Sequence, residues 1–131
     1  MWPPLSASPI ALRRGVRPRP DGRLDVLINN AGYGQVGALE DISRGALRSQ
    51  FETNVFGLLD LTRLAIPLMR RQGQGRIINM SSILGVISLP FRGAYNASKY
   101  AVEGLSDTLR LELQSSGIRV ITVEPGPIES R

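Results

Sequence analysis

The fold of this chain is decided by residues 75–85, Gly75-Arg76-Ile77-Ile78-Asn79-Met80-Ser81-Ser82-Ile83-Leu84-Gly85. A short apolar run that ends in hydroxyl side chains is typical of a buried parallel strand. Similar runs lie at residues 24–29 and 119–123, and long stretches with helical patterns at about 43–71 and 93–116 separate the three. The pattern predicts an α/β fold with about three parallel strands and two long helices on one face of the sheet.

Turn-forming and hydroxyl residues follow each predicted strand. Asn29-Asn30-Ala31-Gly32 closes the first strand, Ser82 follows the second, and Pro125-Gly126-Pro127-Ile128 follows the third. Ligand sites in open α/β sheets lie outside the carboxyl ends of the strands, so we expect these segments to border one site. Each also has a purely structural interpretation, as a turn, a helix cap or a rigid proline loop.

The second predicted helix carries Tyr95 and Lys99, the only lysine in a chain with fifteen arginines. Residues four apart on a helix lie one above the other, so the phenol and the ammonium can face the same space. A fixed cation near a phenol stabilises the phenolate, which suits proton transfer at neutral pH. Taken alone, the pair could equally be a surface lysine beside a partly buried tyrosine. Asn54, on the apolar face of the first helix, is either a satisfied core amide or a site residue.

In their order and spacing, these segments resemble the short-chain dehydrogenase/reductase family in its single-domain form. The resemblance covers about residues 22–130 and includes Phe51-Glu52-Thr53-Asn54-Val55-Phe56-Gly57 in the first helix. It implies a partial Rossmann-like, doubly wound parallel sheet. It also implies NAD or NADP as the cofactor, and a reaction that interconverts the hydroxyl and carbonyl groups of a small molecule by hydride transfer.

The resemblance implies roles for individual residues. Tyr95 would be the acid/base, and Ser82 would orient the substrate oxygen. Lys99 would assist Tyr95 and hold the nicotinamide ribose, while Asn54 would position a water in a proton relay to Lys99. The cofactor would also contact seven further residues, at its adenosine end Asn29, Asn30, Ala31 and Gly32, and at its nicotinamide end Pro125, Gly126 and Ile128. Ser130 stands where the family usually has a threonine.

A glycine motif, Gly32-Tyr33-Gly34-Gln35-Val36-Gly37, spells the dinucleotide-binding fingerprint after an apolar strand. A fingerprint loop should open a helix directly and return to a parallel strand within about thirty residues. Here the helix is expected to begin near Asp41 or Ser43, and the next strand arrives only near Arg76. We therefore interpret the motif as a loop at the rim of the site.

The first 23 residues contain five prolines, five arginines and one acidic residue. Because prolines remove backbone donors, we predict an irregular arm at 1–23 and a partial family domain at 24–131. An Arg-rich, acid-poor arm also suits a transit peptide, although the prolines argue against an amphipathic helix. No glycine-rich phosphate loop of the family precedes Leu24, so we expect the N-terminal half of the domain to be absent. The alternative function is therefore an inactive family fragment, or an interaction module, that cannot hold cofactor.

The composition limits the kinds of binding partner that we expect for this protein. The net charge of +5 comes mostly from residues 1–23, and the remainder has eleven basic and ten acidic residues, so no nucleic-acid surface is expected. Without cysteine or histidine, disulfides and the common zinc sites are excluded, and no metal site is predicted. No run approaches the length of a transmembrane helix, so we expect a cytoplasmic protein. The family resemblance implies a homodimer through the two long helices.

Overall fold

The computed structural model describes residues 18–127 of the chain. Three strands form one parallel sheet in the order β1-β2-β3, so the middle strand in sequence is also central in space. They are β1 (Val26–Asn29), β2 (Gly75–Met80) and β3 (Ile118–Val123). Ile77 of β2 lies opposite Leu27 on one side and Val120 on the other. The predicted parallel α/β sheet is confirmed.

The first predicted helix is present but not uniform. It consists of α1 (Arg44–Phe51), a π-helical turn (Glu52–Phe56) and α2 (Gly57–Gln72). In the π-helical turn the Gly57 N–H donates to the Glu52 carbonyl, five residues back instead of four. Such turns occur often at functional sites, and this one contains Asn54.

The second long helix, α3 (Gly93–Glu112), is four residues shorter than predicted. Beyond it, Ser116 Oγ donates to the Leu113 carbonyl and accepts from the Ile118 N–H. Serine side chains that bond nearby backbone groups compete with helix formation, so the chain turns here. Gly117 then takes a φ of +79°, and a Cβ at this position would overlap the carbonyl oxygen of Gly73.

The first strand begins two residues later than predicted because a side chain takes the place of a neighbouring strand. The Leu24 N–H donates to Gln72 Oε1 at 2.7 Å, and Gln72 Nε2 donates to the Leu24 carbonyl at 2.9 Å. Leu24 is still buried in the core, as its apolar character predicts. The register of β1 with β2 starts at Val26 and Arg76, where the Arg76 N–H donates to the Asp25 carbonyl at 3.0 Å.

Both long helices cover the same face of the sheet, as predicted. Helix and strand residues together form one buried cluster: Leu24, Leu27, Ala65, Met69, Ile77, Leu109, Leu113, Ile118 and Val120. In residues 18–127 nothing covers the opposite face. Four apolar side chains of this face are 38–60% exposed: Val26, Ile28, Ile121 and Val123.

A chain of buried polar side chains crosses this core near the carboxyl ends of the strands. Asn29 Nδ2 donates to Asn79 Oδ1 at 2.8 Å and to Thr62 Oγ1 at 3.0 Å. Asn79 Nδ2 in turn donates to Ser106 Oγ at 2.9 Å. These bonds connect β1 and β2 with α2 and α3, and buried networks of this kind favour a single arrangement of their elements.

Candidate active site

A cavity of about 390 Å³ lies at the carboxyl ends of the three strands. Its wall is formed by the segments after each strand and by the first turns of α3. The lining residues are Asn30, Gly32, Tyr33, Gly34, Met80, Ser81, Arg92, Tyr95, Lys99 and Pro125. Because parallel strands end at one edge of the sheet, segments far apart in sequence meet here.

Tyr95 and Lys99 share this cavity, one turn apart on α3. The Lys99 ammonium lies 5.6 Å from the centre of the Tyr95 ring and donates to the Met80 carbonyl at 2.8 Å. Lys99 is only 6% exposed, and this burial lowers the pKa of its ammonium, while the charge of Glu103 raises it. The bond to Met80 uses one of the three ammonium donors, so the others are available to a ligand.

Asn54 lies behind the cavity and is 1% exposed. Its Oδ1 accepts from the Tyr33 N–H at 3.1 Å, and its Nδ2 donates to the Tyr33 carbonyl and to Ser98 Oγ, each at 3.0 Å. These bonds satisfy the amide, as the structural interpretation predicted. The cavity begins at Gly32, where a Cβ would lie 3.1 Å from Asn54 Oδ1 and 3.7 Å from Lys99 Nζ.

Ser82, like Asn54, is a predicted catalytic residue that does not line the cavity. Its Oγ accepts from the Leu84 N–H at 3.1 Å and caps a 3-10 turn (Ile83–Gly85). Ser81, one residue earlier, is on the cavity wall instead. The structure therefore brings Tyr95 and Lys99 together and shows Ser82 in the capping role that was its structural alternative.

The residues after β1 divide between two hollows. Asn30 and Gly32 line the cavity with Tyr95 and Lys99, whereas Ala31, again with Asn30, lines a hollow of about 330 Å³ between β1 and the helix above it. Asn29 borders this second hollow, but its amide hydrogen-bonds inside the core.

The segment after β3 is held against the segment after β2. Ser81 donates its N–H to the Val123 carbonyl at 2.8 Å, and Ile83 donates its N–H to the Pro125 carbonyl at 3.1 Å. Pro125 thereby lies on the cavity wall, and Gly126 next to it is exposed. Ile128 and Ser130 lie outside the described residues.

The glycine motif forms the rim of the cavity, as predicted, and does not open a helix. Helix α1 begins only at Arg44, where Ser43 Oγ accepts from the Ala46 N–H at 3.1 Å. Tyr33 and Gly34 of the motif line the cavity.

Several residues that support the site were missed from the sequence. Gln50 is fully buried, and it holds the rim loop by donating to the Tyr33 carbonyl at 2.6 Å and accepting from the Gln35 N–H at 2.8 Å. Asn96 holds the loop after β2 by donating to the carbonyls of Leu84 and Ile87.

For two other supporting residues, Ser98 and Ser106, the sequence did contain a signal. Ser98 and Ser106 repeat at helical spacing with the buried residues Val102 and Leu109, so they stand among core positions of α3. A hydroxyl at a core position needs a partner, and here the partners are Asn54 and Asn79.

The family model described as short chain dehydrogenase matches residues 11–131. The chain belongs to the short-chain dehydrogenase family. An uncharacterized oxidoreductase of Escherichia coli K12, YbbO, is 51% identical over 111 residues, which are 85% of this chain and 41% of that protein.

Solved structures of family members match the fold as well. A short-chain dehydrogenase from Streptomyces avermitilis superposes with a TM-score of 0.83 at 44% identity, over 92% of this chain and 44% of that one. A gluconate 5-dehydrogenase from Burkholderia cenocepacia, solved with NADP and tartrate, gives a TM-score of 0.80 at 27% identity, over 83% and 43%. The sheet and helices are thus part of a Rossmann-like fold, and the chain spans less than half the length of these relatives.

Two further findings concern metal binding and membrane-spanning helices. Across residues 18–127, no group of three acidic, cysteine or histidine side chains is arranged to hold a metal ion. None of the helices in this part of the chain combines the length and hydropathy needed to cross a bilayer.

Proposed function

We propose that this protein acts as an NAD(P)-dependent oxidoreductase that interconverts hydroxyl and carbonyl groups of a small molecule. The observation that carries the proposal is the cavity at the carboxyl ends of the strands, where Tyr95 and the only lysine lie on one wall. Membership of the family and the NADP bound by the Burkholderia neighbour support it.

The residues of the cavity fit the nicotinamide end of such a cofactor. Lys99 retains ammonium donors for ribose hydroxyls, and Pro125 brings the backbone after β3 to the opposite wall. A side chain at Gly32 would fill the space in front of Asn54 and Lys99, so glycine leaves this space to a ligand. When bound, the cofactor supplies or accepts the hydride.

Tyr95 would move the proton. During reduction its phenol donates the O–H proton to the substrate oxygen, and during oxidation its phenolate accepts the proton of the alcohol. The Lys99 ammonium lies 5.6 Å from the ring centre, next to the place where the proton would move.

The other two predicted catalytic residues, Ser82 and Asn54, do not line the cavity but would still contribute to the reaction. Ser82 would orient the substrate oxygen once its Oγ turns from the Leu84 N–H towards the cavity. Asn54 would position a water for Lys99. Its hydrogen bonds to Tyr33 would also hold the rim loop in place.

The test uses a chimera in which residues 24–127 replace the matching segment of the Escherichia coli relative. Tyr95→Phe should lower kcat by about 10²–10⁴-fold towards a panel of aldehydes and ketones, since it removes the general acid/base. Tyr100→Phe is the matched control, because Tyr100 lies on the same helix and is exposed outside the cavity. Equal losses in the two variants would contradict the proposal.

For the 131-residue chain by itself, we propose weak cofactor binding and negligible turnover. Within residues 18–127 no glycine-rich loop opens a helix to receive a pyrophosphate. Losing such charge-assisted contacts weakens binding by several kcal/mol, and each 1.4 kcal/mol is about tenfold. Calorimetric titration with NADH and NADPH is the test, and micromolar binding of either would contradict this proposal.

Two expectations from the sequence stay predictions. One is a homodimer through the two long helices, and the other is a cytoplasmic location. Sedimentation of the purified chain tests the first, and fractionation of the source cells tests the second.

A further inference from the structure

The wall of the active-site cavity carries basic side chains and no carboxylate. Among the described residues that line it, Lys99 and Arg92 are charged and none is acidic. The first turn of α3, which borders the cavity, contains no acidic residue either. A cleft lined by one sign of charge attracts ligands of the opposite sign, so this wall favours an anionic ligand.

The two basic residues lie on either side of Tyr95 along the chain, and a glycine opens space next to each. A Cβ at Gly34 would lie 3.7 Å from Arg92 Nη1 and 3.6 Å from Cδ2 of the Tyr95 ring. A Cβ at Gly32 would lie 3.7 Å from Lys99 Nζ. The cavity therefore offers a ligand one position beside Lys99 and another between Arg92 and the Tyr95 ring.

The backbone at Arg92 is fixed from both sides, and its side chain is free to bind. The Gly37 N–H donates to the Phe91 carbonyl at 3.0 Å, and a Cβ at Gly93 would overlap the Leu39 side chain, so the rim loop packs against the start of α3. The Arg92 side chain does not cap the helix, and it has no ion pair with another described residue. It is exposed, which places an unused guanidinium at the mouth of the cavity.

We propose that Arg92 is a specificity-determining residue that binds a carboxylate of the substrate while the reacting carbonyl or hydroxyl group lies against Tyr95. The inference rests on the proposed function, in which the nicotinamide ribose takes the side of Lys99. The substrate then takes the other side of Tyr95, next to Arg92.

This placement names the class of substrate. A guanidinium binds a carboxylate through two parallel hydrogen bonds, which fix its orientation as well as its position. Because Arg92 Nη1 and the Tyr95 ring both lie within 4 Å of one point, the carboxylate and the reacting carbon must be only a few bonds apart. The substrate is therefore a small oxo acid, or the hydroxy acid to which it is reduced.

The test compares acids with their esters in the chimera that carries residues 24–127. The probes are acetoacetate and levulinate, each beside its methyl ester, with saturating NADPH or NADH. The unmodified chimera should have the higher kcat/KM for each acid. Arg92→Gln should raise the KM of the acids by about tenfold or more and leave that of the esters unchanged, because it removes charge-assisted hydrogen bonds that only the acids form.

Arg119→Gln is the matched control. It removes an exposed arginine from a hollow at the amino ends of the strands, so the KM values of acids and esters should both stay unchanged. Equal losses for acid and ester in Arg92→Gln would indicate a structural role and overturn the proposal, and so would a chimera without a preference for the acids. A raised KM for the cofactor with an unchanged preference for the acids would assign Arg92 to the cofactor, which also overturns it.

A second measurement needs no turnover. Growing the 131-residue chain with ¹⁵N-tyrosine labels three residues, of which Tyr33 and Tyr95 line the cavity and Tyr100 does not. Millimolar levulinate should shift the NMR signals of Tyr33 and Tyr95 and leave that of Tyr100 in place, and its methyl ester should shift none. An unshifted Tyr95, or equal shifts with acid and ester, overturns the proposal. Failure of the Tyr95→Phe test would leave this binding unaffected, so the two failures are distinguishable.

Discussion

The two ends of the sheet carry hollows of similar size and different chemistry. The hollow at the amino ends measures about 420 Å³ and the active-site cavity at the carboxyl ends about 390 Å³. At the amino ends the charged side chains are in solvent: Arg76 and Arg119 are exposed, and Asp25 pairs with Arg23 at 3.1 Å on the surface. At the carboxyl ends the single lysine is buried beside a tyrosine.

This difference shows that volume does not identify the site. Exposed ion pairs contribute about 0–1 kcal/mol because water screens them, so the amino-end charges have little effect on one another. A buried ammonium with donors to spare interacts strongly with whatever enters its cavity. The glycines differ in the same way. Gly117 at the amino ends allows two backbone segments to touch, whereas Gly32 at the carboxyl ends leaves room for a ligand.

The largest expected effect comes from removing the cation at the carboxyl ends of the strands, compared with removing one at the amino ends. In the chimera, Lys99→Ala should lower kcat/KM by about 10²–10³-fold, as loss of a preorganised charge does in other active sites. Arg119→Ala, which removes an exposed cation from the amino-end hollow, should leave kcat/KM unchanged. A similar loss of kcat/KM in both variants would contradict a functional difference between the two ends of the sheet.

The next effect concerns stability at the amino ends. Gly117→Ala should destabilise the chain by about 2 kcal/mol or more, since a non-glycine residue at positive φ costs about 1–3 kcal/mol and the added Cβ overlaps the Gly73 carbonyl. Gly104→Ala, on the exposed side of α3 with no atom near the added Cβ, should stabilise by up to about 1 kcal/mol. Urea unfolding followed by circular dichroism measures both. If Gly117→Ala left the free energy of unfolding unchanged, the turn would be able to shift away from the Gly73 carbonyl.

The support beneath the carboxyl ends is tested by Asn79→Ala. The change removes the buried partner of Ser106 and one of the two partners of Asn29, and it should cost about 1–3 kcal/mol in urea unfolding. Asn30→Ala is the control, because Asn30 is exposed and outside this network, and it should change stability by less than about 0.5 kcal/mol. Equal effects would mean that the buried network does not stabilise the site.

The smallest expected effect is a pH trend. Burial raises the pKa of Glu103 in the folded chain above its ordinary value of 4.5. The folded state therefore binds this proton more tightly, and the stability it confers is complete below pH 4.5 and is lost as the pH rises through the raised pKa. Relative to wild type, Glu103→Gln should become progressively more stable as the pH rises above 4.5. Urea midpoints over this range measure the trend, and a trend of opposite sign would contradict the raised pKa.

The sequence predicted the elements that depend on local pattern. The apolar run predicted at 119–123 lies within one residue of β3, and β2 begins at Gly75 as the stretch 75–85 does, because a run of Ile and Val suits a buried strand in any surroundings. Tyr95 and Lys99 were predicted to share one side of α3, since a spacing of four residues places them there in any helix.

The details that depend on contacts between distant segments were not predictable. Whether Ser81 or Ser82 lines the cavity depends on the turn that follows them, which Asn96 holds from α3. The chain beyond α3 is shaped by the bonds of Ser116 Oγ to Leu113 and Ile118 and by the close approach of Gly117 to Gly73.

The sequence by itself thus determined the parallel α/β sheet, the order of its elements, the family and the end of the sheet at which the site lies. These follow from hydrophobic periodicity and from motifs, which are properties of neighbouring residues. Only the tertiary structure decided that Asn54 is satisfied by Tyr33 and Ser98, and that Glu103 lies near Ser81 at Gly85. The physical reason is that a polar group takes the partners that folding brings within about 3 Å of it, and residues far apart in the chain supply most of these partners here.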